Sequence, residues 1–157
     1  MKITIHRGLN QIGGCITEIQ SLSGIRILID LGHNLPGNIE EDQYETPENL
    51  EGLLNGCSAV LYTHYHGDHL GFAAEVHKQG IPQYMGALAI QMMVHRNKHA
   101  TSADELKPYA EVNLKALNEF RTFQRNRKTT IGDITITPYN VDHSAPDSYM
   151  FLIECDG

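Results

Sequence analysis

Residues 63–69 read Thr63-His64-Tyr65-His66-Gly67-Asp68-His69, which places three histidines and one aspartate within six consecutive positions. The residues before this stretch, 59–62, are Ala-Val-Leu-Tyr, a run typical of a buried strand, and the residues after it have the periodicity of a helix. So many imidazole and carboxylate groups between a strand and a helix indicate a metal site. The alternative is a polar loop whose histidines cap the following helix and bond to backbone.

The spacing of these residues predicts how they divide between ions. On an extended backbone His64 and His66 project to the same side, so both imidazoles can reach one ion at about 2.0–2.1 Å. Gly67 permits a turn that brings Asp68 and His69 to a neighbouring position in the same cleft. Ligands divided two and two favour a pair of ions about 3.5–4 Å apart over a single tetrahedral ion. Nitrogen and carboxylate donors with no cysteine nearby favour zinc, with manganese or iron as alternatives.

We expect a third nitrogen ligand from a distant part of the chain. His143 follows a second run of β-branched residues, again where a predicted strand gives way to a loop. Because His64 and His66 need one more nitrogen to form a usable site, we predict that His143 completes it. Asp30 also ends a predicted strand, where sheet-based sites collect their residues, although a turn or cap residue there would look the same.

Composition limits the class of protein. The 157 residues are enough for one domain, and 41% hydrophobic and 20% charged residues are ordinary for a globular protein. A formal net charge of -7 argues against gripping nucleic acid through overall charge. The cysteines Cys15, Cys57 and Cys155 are far apart and form no C-x-x-C pair, which favours a reduced compartment over a disulfide scaffold. With no recognisable signal peptide and no run of transmembrane length, we expect a cytoplasmic protein without a membrane partner.

Outside the site, the pattern predicts strands and helices in alternation. Strands are predicted over 2–5, 15–20, 25–31, 81–85 and 148–154, with a hairpin over 129–137. Helices are predicted over 47–54, 70–79 and from 86 onward, and the charged segment 103–124 is predicted to be partly helical. The basic cluster Arg121, Arg125, Arg127 and Lys128 would track phosphates in a nucleic-acid enzyme, although such a run is more often a solvated loop.

The motif His-x-His-x-Asp-His after a buried strand resembles the signature of the metallo-β-lactamase fold superfamily. The segment 141–148 contains His-Ser-x-Pro-Asp-Ser, where hydrolases of glyoxalase and β-lactamase type carry Gly-His-Thr or Gly-His-Ser. It resembles the β-CASP branch, the nucleic-acid hydrolases related to ribonuclease J and to the messenger-RNA 3′-end cleavage factors. The resemblance implies an α/β (α+β) fold, the αββα sandwich, of which we expect the amino-terminal half.

The resemblance also implies roles for individual residues. It assigns His64, His66 and His143 to one zinc ion, and Asp68 and His69 to a second. Asp68 and His69 would also be the catalytic residues. Asp30 and Ser144 would support the ligands by hydrogen bonds without binding metal themselves.

The chain departs from this family pattern at its carboxyl end. The family supplies a bridging aspartate about twenty residues after the third histidine and then an inserted β-CASP domain, whereas this sequence stops at Gly157. We therefore expect residues 1–157 to form one metallo-β-lactamase-like domain, truncated at its carboxyl terminus, with a weak second metal site. The unpaired edge of the strand 148–154 would allow a homodimer.

The expected function is a zinc-dependent hydrolase, a ribonuclease that hydrolyses phosphodiesters of single-stranded RNA with water activated by the metal. One alternative is a small-molecule ester, thioester or lactone hydrolase on the same scaffold. Another is a non-catalytic metal-binding fragment. Exonuclease against endonuclease action, RNA against DNA, and the identity of the metal are left open.

Overall fold

A computed structural model describes residues 1–37 and 46–155 of the chain. The strands are β1 Lys2–Arg7, β2 Ile16–Gln20, β3 Arg26–Ile29, β4 Ala59–Leu61, β5 Gln83–Gly86, β6 Arg121–Phe123, β7 Thr129–Ile131, β8 Ile134–Asn140 and β9 Tyr149–Glu154. The helices are α1 Pro47–Leu54, α2 Gly67–Leu70, α3 Ala73–Lys78, α4 Ala87–Ala100 and α5 Lys107–Asn118. None of these helices is long and apolar enough to cross a bilayer.

The first sheet has six strands in the order β1-β2-β3-β4-β5-β6. Strands β1 to β3 are antiparallel neighbours, whereas β3, β4, β5 and β6 run parallel to one another. Parallel strands end at the same edge of a sheet, which is where sites in such folds collect. The segments after β3, β4, β5 and β6 therefore meet at one edge, and the metal loop, residues 63–69, is among them.

The second sheet has three antiparallel strands, β7-β8-β9, and packs on one face of the first. Alternation along β4 shows the layering, because successive side chains of a strand point to opposite faces. Val60 and Tyr62 pack with the helices, whereas Ala59 and Leu61 pack in the cluster shared with Ile136 of the second sheet. The order is thus helices, sheet, sheet. This confirms the predicted α/β class and three layers of the expected αββα sandwich.

The predicted helix 70–79 is wrong in its continuity, because two helices, α2 and α3, occupy this region with a break at Gly71 and Phe72. The break follows from hydrogen bonds to the segment after β3. Leu31 N–H donates to His69 C=O at 2.8 Å, and Phe72 N–H donates to Leu31 C=O at 3.2 Å. A side chain at Gly71 would also collide with His33.

Strand β6 was not among the predicted elements, because its residues fell within the partly helical segment 103–124. Only Phe123 of its three residues is buried, so the strand leaves almost no hydrophobic alternation to read. Its pairing with Tyr84, Met85 and Gly86 of β5 is a long-range contact that a local pattern does not report. In the predicted loop before α1, residues 38–45 lie outside the described part of the chain.

Candidate metal centre

The metal loop leaves the first sheet from a buried strand. Every residue of β4 is buried, and Tyr62 is buried after it, with its hydroxyl donating to Gln83 Oε1 at 2.7 Å. The loop then turns into α2, with His66 in extended conformation as the N-cap residue. A rigid strand end therefore holds the start of the loop, as the sequence predicts.

Three imidazoles meet at this edge of the sheet. His64 Nε2 lies 3.1 Å from His66 Nδ1 and 3.1 Å from His143 Nε2. One nitrogen from each ring lies within 4.8 Å of the others. His64 is buried, His66 is half-buried and His143 is exposed. The structure thus brings together the three residues that the sequence predicts as ligands of one ion. His64 and His143 are 79 positions apart in the sequence.

The donor set fits a zinc ion. Nitrogens bonded at about 2.0–2.1 Å to a tetrahedral ion lie about 3.3 Å apart, close to the two separations of 3.1 Å. Burial, reinforced by the neighbouring imidazoles of His69, His143 and His66, lowers the pKa of His64 from 6.5 to about 3. His64 is therefore neutral at physiological pH and has a lone pair to give to a metal.

Asp30 joins the ends of β3 and β4 beneath these rings. The residue is only 4% exposed, and its carboxylate accepts from Thr63 N–H at 2.8 Å, from Thr63 Oγ1–H at 2.8 Å and from His69 Nδ1 at 2.8 Å. The residue has φ 59°, a left-handed conformation that aspartate tolerates better than most residues. Support of His69 is what the resemblance implies for Asp30, but no hydrogen bond joins Asp30 to Asp68.

Asp68 and His69 lie against the three-histidine cluster. The ring of His69 is centred 4.0 Å from that of His64, and its Nε2 lies 3.3 Å from Asp68 Oδ2. Burial alone would lower the pKa of His69, but the hydrogen bond to Asp30 and the charges of Asp30 and Asp68 outweigh it and raise that pKa. His69 Nδ1–H therefore points to Asp30, and Nε2 faces the side of Asp68.

Thr63 is a site residue that sequence reasoning missed. Its hydroxyl lies 2.8 Å from Asp30 Oδ2 and 3.0 Å from His64 Nδ1, so it connects the buried carboxylate to the first histidine. By occupying Nδ1 it leaves His64 Nε2 to face the cluster. A hydroxyl residue directly before the first histidine of the motif was the available signal.

Two glycines allow the neighbouring loops to reach the metal loop. A Cβ on Gly32 would collide with the backbone of Asp68 and His69, and one on Gly13 would collide with the Asp68 carboxylate. The buried guanidinium of Arg7 donates to the carbonyl oxygen of Gly32 and binds the same group of loops together. The packing around the predicted ligands therefore depends on positions without side chains.

Among the described residues, the group of possible ligands does not extend to Ser144 or to the further histidines His33, His95 and His99. Ser144 is exposed, and its hydroxyl makes no hydrogen bond within residues 1–37 and 46–155, so its supporting role stays a prediction. His33 is exposed and stands edge-on to Phe72, with ring centroids 4.5 Å apart. His95 and His99 are both exposed on α4.

The chain is similar in sequence to known proteins. Residues 19–152 match the sequence profile of the Metallo-beta-lactamase superfamily. The chain is 27% identical over 164 residues to the transcription termination factor FttA of Methanothermobacter thermautotrophicus, and the match covers 99% of this chain and 26% of FttA.

Solved structures show the same fold at low identity. A protein of unknown function from Enterococcus faecalis aligns with a TM-score of 0.64 and 22% identity over 98% of this chain and 40% of its own. BJP-1, a subclass B3 metallo-beta-lactamase of Bradyrhizobium japonicum, aligns with a TM-score of 0.59 and 20% identity over 92% of this chain and 52% of its own. The chain thus spans about a quarter of FttA and 40% and 52% of these two structures.

Proposed function

Because this chain belongs to the metallo-β-lactamase superfamily, we propose that His64, His66 and His143 hold a zinc ion and that the protein is a metal-dependent hydrolase. The observation that carries the proposal is the convergence of three imidazole nitrogens from two distant parts of the sequence within 4.8 Å. Asp68 and His69, which lie against this cluster, are the proposed ligands of a second ion and the proposed catalytic residues.

Zinc at such a site lowers the pKa of a water molecule and polarises the bond that is hydrolysed. The surrounding residues prepare the ligands for this chemistry. Burial keeps His64 neutral, and Thr63 takes up its other nitrogen. Asp30 fixes the orientation of His69 from the opposite side of the ring.

The substrate that the chain favours is a phosphodiester of single-stranded RNA. The segment His-Ser-x-Pro-Asp-Ser at 143–148 resembles the β-CASP nucleases, and the similarity to a transcription termination factor runs through almost the whole chain. Arg125 and Arg127 are exposed directly after β6, at the edge of the sheet that carries the metal loop. Hydrolysis there adds the hydroxyl of water to phosphorus, breaks one phosphorus–oxygen bond and returns a proton to the leaving oxygen.

The metal site is tested by zinc binding to the wild type and to His64→Ala and His143→Ala variants. We expect each variant to lose at least about tenfold in zinc affinity, because two nitrogens remain where three are needed for a stable site. His99→Ala, which removes an exposed histidine on α4, is the matched control and should bind as the wild type does. Unchanged zinc content in both site variants would contradict the proposal.

The substrate is tested by incubating the zinc-loaded protein with labelled single-stranded RNA and, in parallel, with acyl esters and thioesters. RNA cleavage that disappears in His64→Ala supports the nuclease. Cleavage of acyl substrates alone assigns the site to the small-molecule hydrolases instead. Zinc binding without turnover of either class would leave a metal-binding module and contradict the enzyme proposal.

A further inference from the structure

His143 lies in the connection between the last two strands of the second sheet. Residues 141–148 join β8 to β9, and His143 is exposed within them. Two hydrogen bonds within the connection involve Ser148. Its hydroxyl donates to Ala145 C=O at 2.6 Å, and its carbonyl accepts from Val141 N–H at 3.1 Å. These bonds shape the connection but do not attach it to the first sheet and its helices, where His64 and His66 reside.

Tyr149 N–H, at the start of β9, donates to Thr63 C=O at 2.9 Å, and Asp147 adds an attachment to α4. Its Oδ2 accepts from Leu88 N–H at 2.9 Å and from Ala89 N–H at 3.1 Å, and its Oδ1 accepts from Tyr149 O–H at 2.6 Å. Leu88 and Ala89 belong to the first turn of α4, 59 and 58 positions earlier in the chain. The Asp147 carboxylate thus links the segment that carries His143 to the helix that follows β5 of the first sheet.

The start of α4 is built to receive this carboxylate. The N-cap residue is Gly86, which has no side chain to satisfy the first backbone N–H groups, and the first turn contains no acidic residue. The second and third helical N–H groups are those that an N-cap side chain normally satisfies, and the helix dipole favours a negative charge there. A Cβ at Gly86 would collide with the Asp147 carboxylate. Glycine at the cap therefore admits a capping group from another part of the chain.

The backbone of Asp147 is also specialised for this contact. It has φ 62°, in the left-handed region that residues with a side chain seldom adopt. Such a conformation persists where surrounding bonds determine it, and here three hydrogen bonds to the carboxylate do so. Four residues before it, His143 reaches His64 at 3.1 Å.

We propose that Asp147 is a positioning residue that holds His143 at the metal cluster by capping the amino terminus of α4. The inference rests on the metal site proposed above. Asp147 acts through the connection it anchors and touches neither the metal nor the substrate.

The main test compares zinc affinity, measured by chelator competition, in the wild type and in Asp147→Ala. We expect roughly a 10–100-fold loss, the range typical for residues that support a metal ligand. Asp147→Asn keeps an amide oxygen to accept from Leu88 and Ala89 and should recover most of the affinity. Asp142→Ala is the matched control, because it removes an exposed carboxylate adjacent to His143 that makes no hydrogen bond to the described residues. Equal losses in Asp142→Ala and Asp147→Ala would assign the effect to charge and overturn the proposal.

A double-variant cycle distinguishes positioning from general stability. If Asp147 acts through His143, adding Asp147→Ala to a His143→Ala background should cause no further loss of zinc affinity. A further loss would overturn the proposal. In the metal-free protein, amide hydrogen exchange at Leu88 and Ala89 should accelerate in Asp147→Ala and not in Asp142→Ala, and unchanged exchange would also count against the cap.

Two variants keep the test decisive if Asp147→Ala does not fold. Tyr149→Phe removes one of the three bonds, and Asp147→Asn preserves the shape of the side chain, so both should show a smaller loss in the same direction. A wild-type chain that binds no zinc overturns the proposed metal site and this inference with it. A zinc-binding wild type whose Asp147 and Tyr149 variants bind equally well overturns this inference alone.

Discussion

At the residue scale, Asp30 is held by three hydrogen bonds from the metal loop. A buried carboxylate is tolerated only when its oxygens are satisfied, and here two groups of Thr63 and one nitrogen of His69 satisfy them. The same three bonds place the metal loop relative to β3. The hydrogen bonds that make burial of the Asp30 charge tolerable are therefore the same bonds that orient the metal loop. They also hold Asp30 in its left-handed conformation at the end of β3.

Replacing Gly32 with alanine should destabilise the fold. The new methyl group would meet the backbone of Asp68 and His69, which cannot move aside as a flexible side chain can. We expect a loss of about 1–3 kcal/mol in the free energy of unfolding, the usual cost of overpacking, measured by urea titration.

Gly52→Ala is the control for this change. Gly52 lies in α1, and nothing approaches its Cβ position within 4 Å, so alanine there should stabilise the protein by up to about 1 kcal/mol through helix propensity. Equal effects of the two substitutions would show that contact with the metal loop is not what requires glycine at position 32.

Some residues of the candidate site could be predicted from the sequence and others could not. The histidines and Asp68 stand in a compact local motif, and His143 could be nominated because it follows a strand. The contacts of Thr63 with Asp30 and of Asp147 with α4 could not be predicted, because these partners lie 33 and 58 or more positions away and only the folded backbone brings them together.

At the element scale, the Glu18–Arg26 pair ties the hairpin of β2 and β3 to α1. Arg26 donates to Glu18 Oε2 at 2.7 Å and to Leu53 C=O at 3.0 Å, the latter in the last turn of α1. Glu18 also lies 3.1 Å from His6 Nε2 of β1. Glu18 and Arg26 together therefore connect three strands and a helix.

Stability should depend on pH through the Glu18 carboxylate. The hydrogen bond from Arg26, against the opposing effect of burial and with help from His6, lowers the pKa of Glu18 below 4.5. A lowered folded-state pKa contributes stability that is present above the unfolded pKa and lost as pH falls through the folded value. Glu18→Gln should therefore cost about 1–3 kcal/mol at pH 7, and the difference from wild type should shrink at pH values below the unfolded pKa.

The prediction is tested by chemical denaturation of the wild type and Glu18→Gln across pH 3–7, which gives the free energy of unfolding of each protein at each pH. Glu75→Gln is the control, because Glu75 is 41% exposed and lies 3.9 Å from Lys78, a surface pair that contributes at most about 0.5 kcal/mol. A pH-independent difference for Glu18→Gln would contradict the assignment.

Elements with strong local signals were predicted closely. The hairpin 129–137 and the short helix 47–54 correspond to β7–β8 and α1. β-Branched alternation around a Gly-Asp turn marks the hairpin locally, and a proline stands at the start of the helix. The break between α2 and α3 and the strand β6 were not predicted. Both are imposed by partners elsewhere in the chain, the segment after β3 for the break and β5 for the strand.

At the scale of the whole molecule, the outer face of the second sheet carries exposed apolar side chains. Met150 is 57% exposed and Leu152 is 47% exposed on β9, opposite Tyr139 and Thr137 of β8. The alternate residues of β9, such as Tyr149 and Phe151, point inward to the cluster between the sheets. Contiguous apolar patches of this kind promote association.

Replacing both Met150 and Leu152 with lysine should reduce self-association of the 157-residue chain at high protein concentration, measured by sedimentation velocity. Leu22→Lys, at a turn where the side chain is 83% exposed, is the control and should change nothing. Association that persists in the double variant would point instead to the edge of β9, the surface from which the sequence predicts a homodimer.

The global arrangement was largely predictable, because the motif and its strand–loop–helix setting resemble one family. The order of the sheets and the edge where the loops meet follow from that resemblance and from parallel pairing. The sequence did not indicate that α4 and the 141–148 connection contact each other, because no local pattern in either segment identifies the other as its partner.

The three clustered histidines come from both layers of β-structure. His64 and His66 lie in the loop after β4 of the first sheet, and His143 lies in the connection between β8 and β9 of the second. A nascent chain that has emerged from the ribosome only as far as α5 does not yet contain His143 and so cannot assemble the cluster. We therefore expect zinc uptake at the proposed site to follow synthesis of the second sheet, and a zinc-responsive dye added during translation would report when it occurs.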